Sequence, residues 1–252
     1  MSRILRTLLI ASLLAYSLAC KVSGGNVQEN DLSISQKPSP LYPVTINDKH
    51  GFIDHSGRLV INLPTEVYNV RKFSEGLAVI AKEVPNTHGR WGFIDESGVV
   101  VIEPRFNGAK PFSEGLAAVV ISDDENTIGR VGYIDKTGQL VIQPQFSASH
   151  VSDFSFSQGL AAVALGNGKW GYINKAGKFV IAPKFTHAFP FSEGRAAVGI
   201  AEADYSENYK WGFIDTEGRW IVEPRLAGAA SFSEGVGSSG DGKEGRLFRQ
   251  PG

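Results

Sequence analysis

The stretch "WGFIDESGVVVIEPRF" at residues 91–106 returns as "VGYIDKTGQLVIQPQF" at 131–146, "WGYINKAGKFVIAPKF" at 170–185 and "WGFIDTEGRWIVEPRL" at 211–226. A looser copy starts at His50. The glycine after the first motif position falls at Gly51, Gly92, Gly132, Gly171 and Gly212, so the spacings are 41, 40, 39 and 41 residues. A period of this size means that one supersecondary unit recurs and that neighbouring units must stack to bury a shared core. Five units occupy residues 41–237.

Each unit reads as a meander. Asp54, Asp95, Asp135, Asn174 and Asp215 stand where a strand enters a tight turn, and a glycine three residues on supplies the left-handed position. The returning strand, such as "VVVIEP" or "KFVIAP", is apolar at successive positions, which predicts cover on both faces. It closes on Pro64, Pro104, Pro144, Pro183 or Pro224, which cannot donate to a ladder. A second turn follows at "FSEG" (73–76, 112–115, 191–194 and 232–235) or "FSQG" (156–159), leading into Ala-Val strands such as "LAAVAL". Those small side chains stand where the preceding strands carry Trp, Phe and Tyr, which favours a radial arrangement. Gly51 and its equivalents, inside a strand, fit close approach of a neighbouring backbone. The expectation is an all-β chain of five tandem antiparallel units with three strands each, or four if the segment near Phe106 to Phe112 pairs. Two architectures satisfy it: a β-propeller-like array or an open β-solenoid.

The quoted units, each with its "FSEGLAAV"-like segment, resemble the bacterial WG repeat family over nearly all of the chain after its leader. The resemblance implies a β repeat architecture. It implies no particular activity, because the family is defined by its repeats.

The N-terminus, "MSRILRTLLIASLLAYSLAC", places Arg3 and Arg6 before an apolar run too short to span a bilayer, so residues 1–19 read as a cleaved export signal. Cys20, the only cysteine, resembles the acylated cysteine of bacterial lipoproteins, although Ser17 and Leu18 depart from that pattern. Lipidation would anchor the protein to a membrane facing the periplasm or extracellular space. Ordinary secretory cleavage at the same bond would release a soluble protein with a free thiol. Residues 20–40 are rich in Ser, Gly, Asn, Gln and Pro and read as a tether, reaching on the order of 25 Å. Residues 238–252 read as a Gly-rich tail. Removing the leader leaves 23 basic against 26 acidic groups, without the clustered basic face that nucleic acid requires.

A site grafted on a repeat scaffold should appear as a break in the pattern. His50 and Val131 replace Trp in two units, and "FSASHVSDFSF" is an insertion. Asp123, Asp124 and Glu125 form no complete Ca²⁺ loop and read as a solvated hairpin tip. His150 and Asp153 have no nucleophile with them. The histidines lack metal-ligand spacing, and "GNGKWG" lacks the context of a phosphate loop. No cofactor and no enzymatic activity are expected. Trp91, Trp170 and Trp211 are the candidate binding surface, for stacking on sugars or docking a peptide, although their alternation with Phe93, Tyr172 and Phe213 also suits an inter-unit core. The chain thus reads as an exported repeat scaffold that binds another envelope protein; the alternative is a glycan or cell-wall ligand.

Overall fold

The computed structural model describes residues 40–124, 126–148, 153–201 and 209–231, together with the backbone of 236–239 and 246–249. The expected export signal, Cys20 and the tether to residue 39 lie outside the described residues, as do Glu125 and His150.

The described chain is built of β-strands and the turns between them. Unit 1 contains β1 (Tyr42–Ile46), β2 (Lys49–Ile53) and β3 (Leu59–Asn62). Unit 2 contains β4 (Val67–Val70), β5 (Leu77–Lys82), β6 (Arg90–Asp95) and β7 (Val100–Phe106). Unit 3 contains β8 (Gly108–Ala109), β9 (Ala117–Ile121), β10 (Arg130–Ile134) and β11 (Leu140–Ser147). Unit 4 contains β12 (Ala161–Ala164), β13 (Trp170–Ile173) and β14 (Phe179–Phe185), and unit 5 contains β15 (His187–Ala188), β16 (Ala196–Ala201), β17 (Tyr209–Ile214) and β18 (Trp220–Leu226). Each unit is its own antiparallel sheet with strands in chain order. The segment after Phe106 does pair, so units 2, 3 and 5 have four strands.

Ladder bonds run within units, and consecutive units meet through side chains. A β-solenoid would instead pair strands from one coil to the next, so the arrangement is propeller-like. A further hairpin, β19 (Val236–Ser239) with β20 (Arg246–Arg249), pairs Val236 with Arg249 and Ser239 with Arg246. It follows the fifth "FSEG" as the Ala-Val strands follow the others. This hairpin lies in the residues read from sequence as the end of unit 5 and the Gly-rich tail.

The glycine of the repeated dipeptide is required by geometry. The register slips between Trp91 and Phe93, opposite Phe106 and Ile102, and the bulged strand brings its backbone against Gly92. A Cβ at Gly92 would stand 2.5 Å from the Ile102 carbonyl oxygen and 2.7 Å from the Pro104 nitrogen.

The returning strands correct two expectations. They do not close on their prolines, since β7, β11, β14 and β18 bulge and run on past Pro104, Pro144, Pro183 and Pro224. Their successive apolar residues are not covered on both faces. Each forms the outer edge of its sheet: β7, β11 and β14 bury Ile and Phe at two positions, as in Ile102 and Phe106, expose the two apolar residues before the Ile and leave those between exposed or partly exposed.

Candidate functional site

The polar residues of the motif act within the fold. Asp95 Oδ1 accepts the backbone N–H groups of Ser97 at 2.9 Å and Val99 at 3.0 Å, and the Ser97 hydroxyl at 2.6 Å. Asn174 accepts the equivalent N–H groups of Ala176 and Lys178, both at 3.1 Å. Because only acceptor oxygens are used, the amide substitutes for the carboxylate. The Ser56 hydroxyl, with the backbone and side chain of Arg58, holds Asp54 down at about 2. Ser97 and Thr137 lower Asp95 and Asp135 in the same way. These carboxylates are turn anchors.

The second turn forms a clasp between units. Ser74 Oγ donates to the carbonyl of Phe112 at 2.6 Å, Ser113 to that of Phe156 at 2.7 Å and Ser157 to that of Phe191 at 2.6 Å. Each serine therefore holds the next unit at the same position. The following residue does likewise: the Gly115 N–H donates to Glu75, the Gly159 N–H to Glu114 and the Gly194 N–H to Gln158, at 2.8–3.2 Å. Lys136 and Lys175 pair with Glu75 at 3.2 Å and Glu114 at 3.1 Å. The motif phenylalanine completes the joint. Phe73, Phe112, Phe156 and Phe191 pack on Phe52, Phe93, Tyr133 and Tyr172 of the preceding unit, with centroids 4.6–5.0 Å apart. Tyr133 and Tyr172 also donate their hydroxyls across the joint, to Phe154 O at 2.9 Å and Phe189 O at 2.8 Å. Burial pushes both phenols above their usual range. Sequence reading identified the turn and the aromatic layer but missed the clasp. Its signal was the recurrence of Ser and Glu or Gln in five turns.

The three candidate tryptophans have different surroundings. Trp170 is only 2% exposed and stacks on Phe154 at 5.9 Å. Half-buried Trp91 carries the Arg71 guanidinium 5.1 Å over its ring. Half-buried Trp211 lies 5.5 Å from Phe189 and 5.6 Å from His187. Trp170 is thus packed in the core, whereas Trp91 and Trp211 each keep part of their surface exposed.

Among the described residues, no group of three or more His, Cys, Asp or Glu side chains is placed to hold a metal ion. Asp123, Asp124 and Asp153 are exposed. A cleft of about 580 Å³ lies at the insertion between β5 and β6, lined by residues including Glu66, Tyr68, Glu83 and His88. Tyr68 donates to the His88 carbonyl at 3.3 Å, and most of the lining is exposed.

A different surface feature recurs with the period. Val60, Val101, Val141, Val180 and Ile221, each nine residues after the motif glycine, are 45–49% exposed. Leu59, Val100, Leu140 and Phe179 beside them are also exposed. High β-propensity explains branching at an edge strand, but threonine would meet that need equally. Five aliphatic residues at one half-exposed position form a repeated apolar band.

The model of the WG containing repeat matches residues 51–83, 91–123, 132–170, 170–200 and 211–237. No curated protein matches the sequence. Among solved structures, the chain is similar to a protein of unknown function from Bacteroides caccae, at 18% identity over 73% of this chain and 77% of that one, with a TM-score of 0.35. It is similar to the WD40 β-propeller domain of Doa1 at 11% identity, over 84% of this chain and 76% of that one, with a TM-score of 0.41. A eukaryotic initiation factor gives 14% identity and a TM-score of 0.48 over 75% of this chain and 53% of that one. Each of the five matched segments contains the Asp or Asn turn of its unit, and the chain belongs to the family of WG-containing repeat proteins, as a β-rich repeat protein.

Proposed function

We propose that this chain is an exported scaffold, anchored by lipid at Cys20, that binds another protein of the cell envelope without catalysing a reaction. The observation that carries the reading is the apolar band, half-exposed at one equivalent position in all five units. An apolar surface of this kind is unfavourable in water and gains from being covered by a partner. Its repetition along edge strands suits an extended or multivalent contact more than a single small ligand. The leader and the position of Cys20 support export and acylation, and the tether would let the domain search the space beside its membrane. A glycan ligand is the weaker reading, since stacking on sugars needs indole faces open to solvent and the Trp170 face is occupied by Phe154.

The test is cross-linking of the tagged, natively exported protein in cells, followed by mass spectrometry of the captured material and of its N-terminal peptide. A reproducible protein partner together with an acylated Cys20 is the expected result. An unmodified Cys20 and no captured protein would overturn both halves of the reading.

A further inference from the structure

We propose that the cavity between Trp91 and Val131 binds a carboxylate carried on an apolar group of side-chain size. This does not depend on the envelope-partner reading, because the cavity is formed by other residues than the outer-strand band.

The cavity, about 170 Å³, opens where the motif breaks. In units 4 and 5 the tryptophan of the dipeptide is covered by an aromatic residue two positions before the motif phenylalanine: Phe154 on Trp170, nearly parallel at 14°, and Phe189 on Trp211 at 33°. The same two positions hold Arg71 and Trp91 in unit 2, and Lys110 and Val131 in unit 3. The cross-strand neighbour changes in step. Trp91, Trp170 and Trp211 lie opposite Ala81, Ala164 and Gly199, whereas Val131 lies opposite Val120. Unit 3 thus replaces an indole over a small residue with two valines. The space left is lined by Trp91, Val131, Phe154 and Ala109, with Arg71 and Lys110 beside them.

The two cations define the ligand's polar end. Both side chains are half-buried, and among the described residues neither makes an ion pair or a side-chain hydrogen bond. Arg71 stacks its face on Trp91, which leaves its in-plane N–H donors available to a carboxylate. Lys110 adds three donors with no acceptor among the described residues. Half-buried positive charge is unfavourable until an anion arrives, so an anionic group is preferred over a neutral isostere. Apart from Asn107, whose Oδ1 already accepts the Ser122 N–H at 2.9 Å, the rest of the lining is apolar, and the volume is below the roughly 300 Å³ at which pockets for drug-sized ligands begin. One branched or aromatic group fits. A free small acid and the C-terminal residue of a chain share this chemistry.

The experiment is an NMR titration of the natively exported full chain, following the indole N–H signal of Trp91 among the four tryptophans. The signal is assigned with Trp91→Phe. The probes are N-acetylphenylalanine, its primary amide, and an octapeptide ending in a free phenylalanine carboxylate. The acid or the octapeptide should shift the Trp91 signal saturably, and the amide should bind at least tenfold more weakly, about one charge-assisted hydrogen bond's worth. Lys110→Met and Arg71→Met should each weaken the acid by about ten- to a hundredfold. Val120→Ala/Val131→Trp installs the pair used by the other units and should abolish binding while circular dichroism is unchanged. Tighter binding of the octapeptide assigns the ligand as a chain end, and tighter binding of the acid assigns a free small molecule. Equal binding of acid and amide, binding that survives the double substitution in a folded protein, or no shift with either carboxylate overturns the proposal.

Discussion

Replacing Gly92 with alanine tests the geometric reading of the repeated dipeptide. The new methyl carbon would stand 2.5 Å from the Ile102 carbonyl oxygen, 2.7 Å from the Pro104 nitrogen and 2.9 Å from its Cα. An ordinary carbon–oxygen approach is about 3.3 Å, so the overlap is about 0.8 Å and involves backbone atoms that no rotamer can move. β6 and β7 must separate or the bulge must reorganise. We expect a loss of about 3 kcal/mol, the upper end for overpacking. With a urea m-value of about 3 kcal/mol/M, the midpoint falls by about 1 M. Because contacts run between nearest neighbours, hydrogen exchange should accelerate in units 1 to 3 before units 4 and 5. Gly166→Ala is the control: a Cβ there meets nothing within 4 Å, and the residue lacks a positive φ. That change should be neutral or stabilise by about 0.4–1 kcal/mol, through the unfolded chain. If Gly92→Ala loses no more stability than Gly166→Ala, close backbone approach is not what selects glycine in the motif.

Three further outcomes are expected. Glu114→Ala leaves the Gly159 N–H without its acceptor and should lower stability by about 1 kcal/mol in urea melts, whereas Glu114→Gln should be close to wild type, since Gln158 performs the same role at the next joint. Asp54, Asp95 and Asp135 all have folded pKa values below the ordinary 3.8, with Asp54 near 2. Their contribution is therefore complete above the ordinary value and is lost as pH falls through the folded ones. Thermal melts should show stability declining from pH 4 towards pH 2, and Asp54→Asn should flatten that decline. Burial raises the Tyr133 and Tyr172 phenols above the ordinary 10.0, so their stabilisation holds below that value and is lost as pH rises beyond it. Absorbance titration should find two tyrosines ionising only when the chain unfolds in alkali.

The parts legible in the sequence were those encoded locally. Asp95 and Gly98 specify a turn by their own hydrogen bonds and backbone angles, whereas Pro104 was misread as the end of its strand, because β7 bulges there and pairs again where Phe106 lies opposite Trp91. Gly92 was legible because glycine weakens a strand interior and is retained there where another backbone comes too close for a Cβ. The clasp was not legible, since Ser74 finds its acceptor at Phe112, a whole unit later, and no local pattern reports that partner. The exposed band was misread for a related reason. An apolar run such as "VVVI" reads the same in a strand covered on both faces and in an outer edge strand, and only the position of the strand in its sheet separates the two. Val131 was visible as a departure from tryptophan. Its meaning required knowing that Val120 lies opposite and Lys110 alongside.

Site-specific photo-cross-linking in cells that produce the chain tests most directly whether the motif builds the scaffold while the surface band binds. A photoreactive amino acid is placed in turn at Val60, Val101, Val141 and Val180, and, for comparison, at exposed Asp124 and Glu83. One protein partner should be captured from several band positions and from neither comparison position. Capture from Asp124 and Glu83 alone, or equal capture from every position, would contradict this.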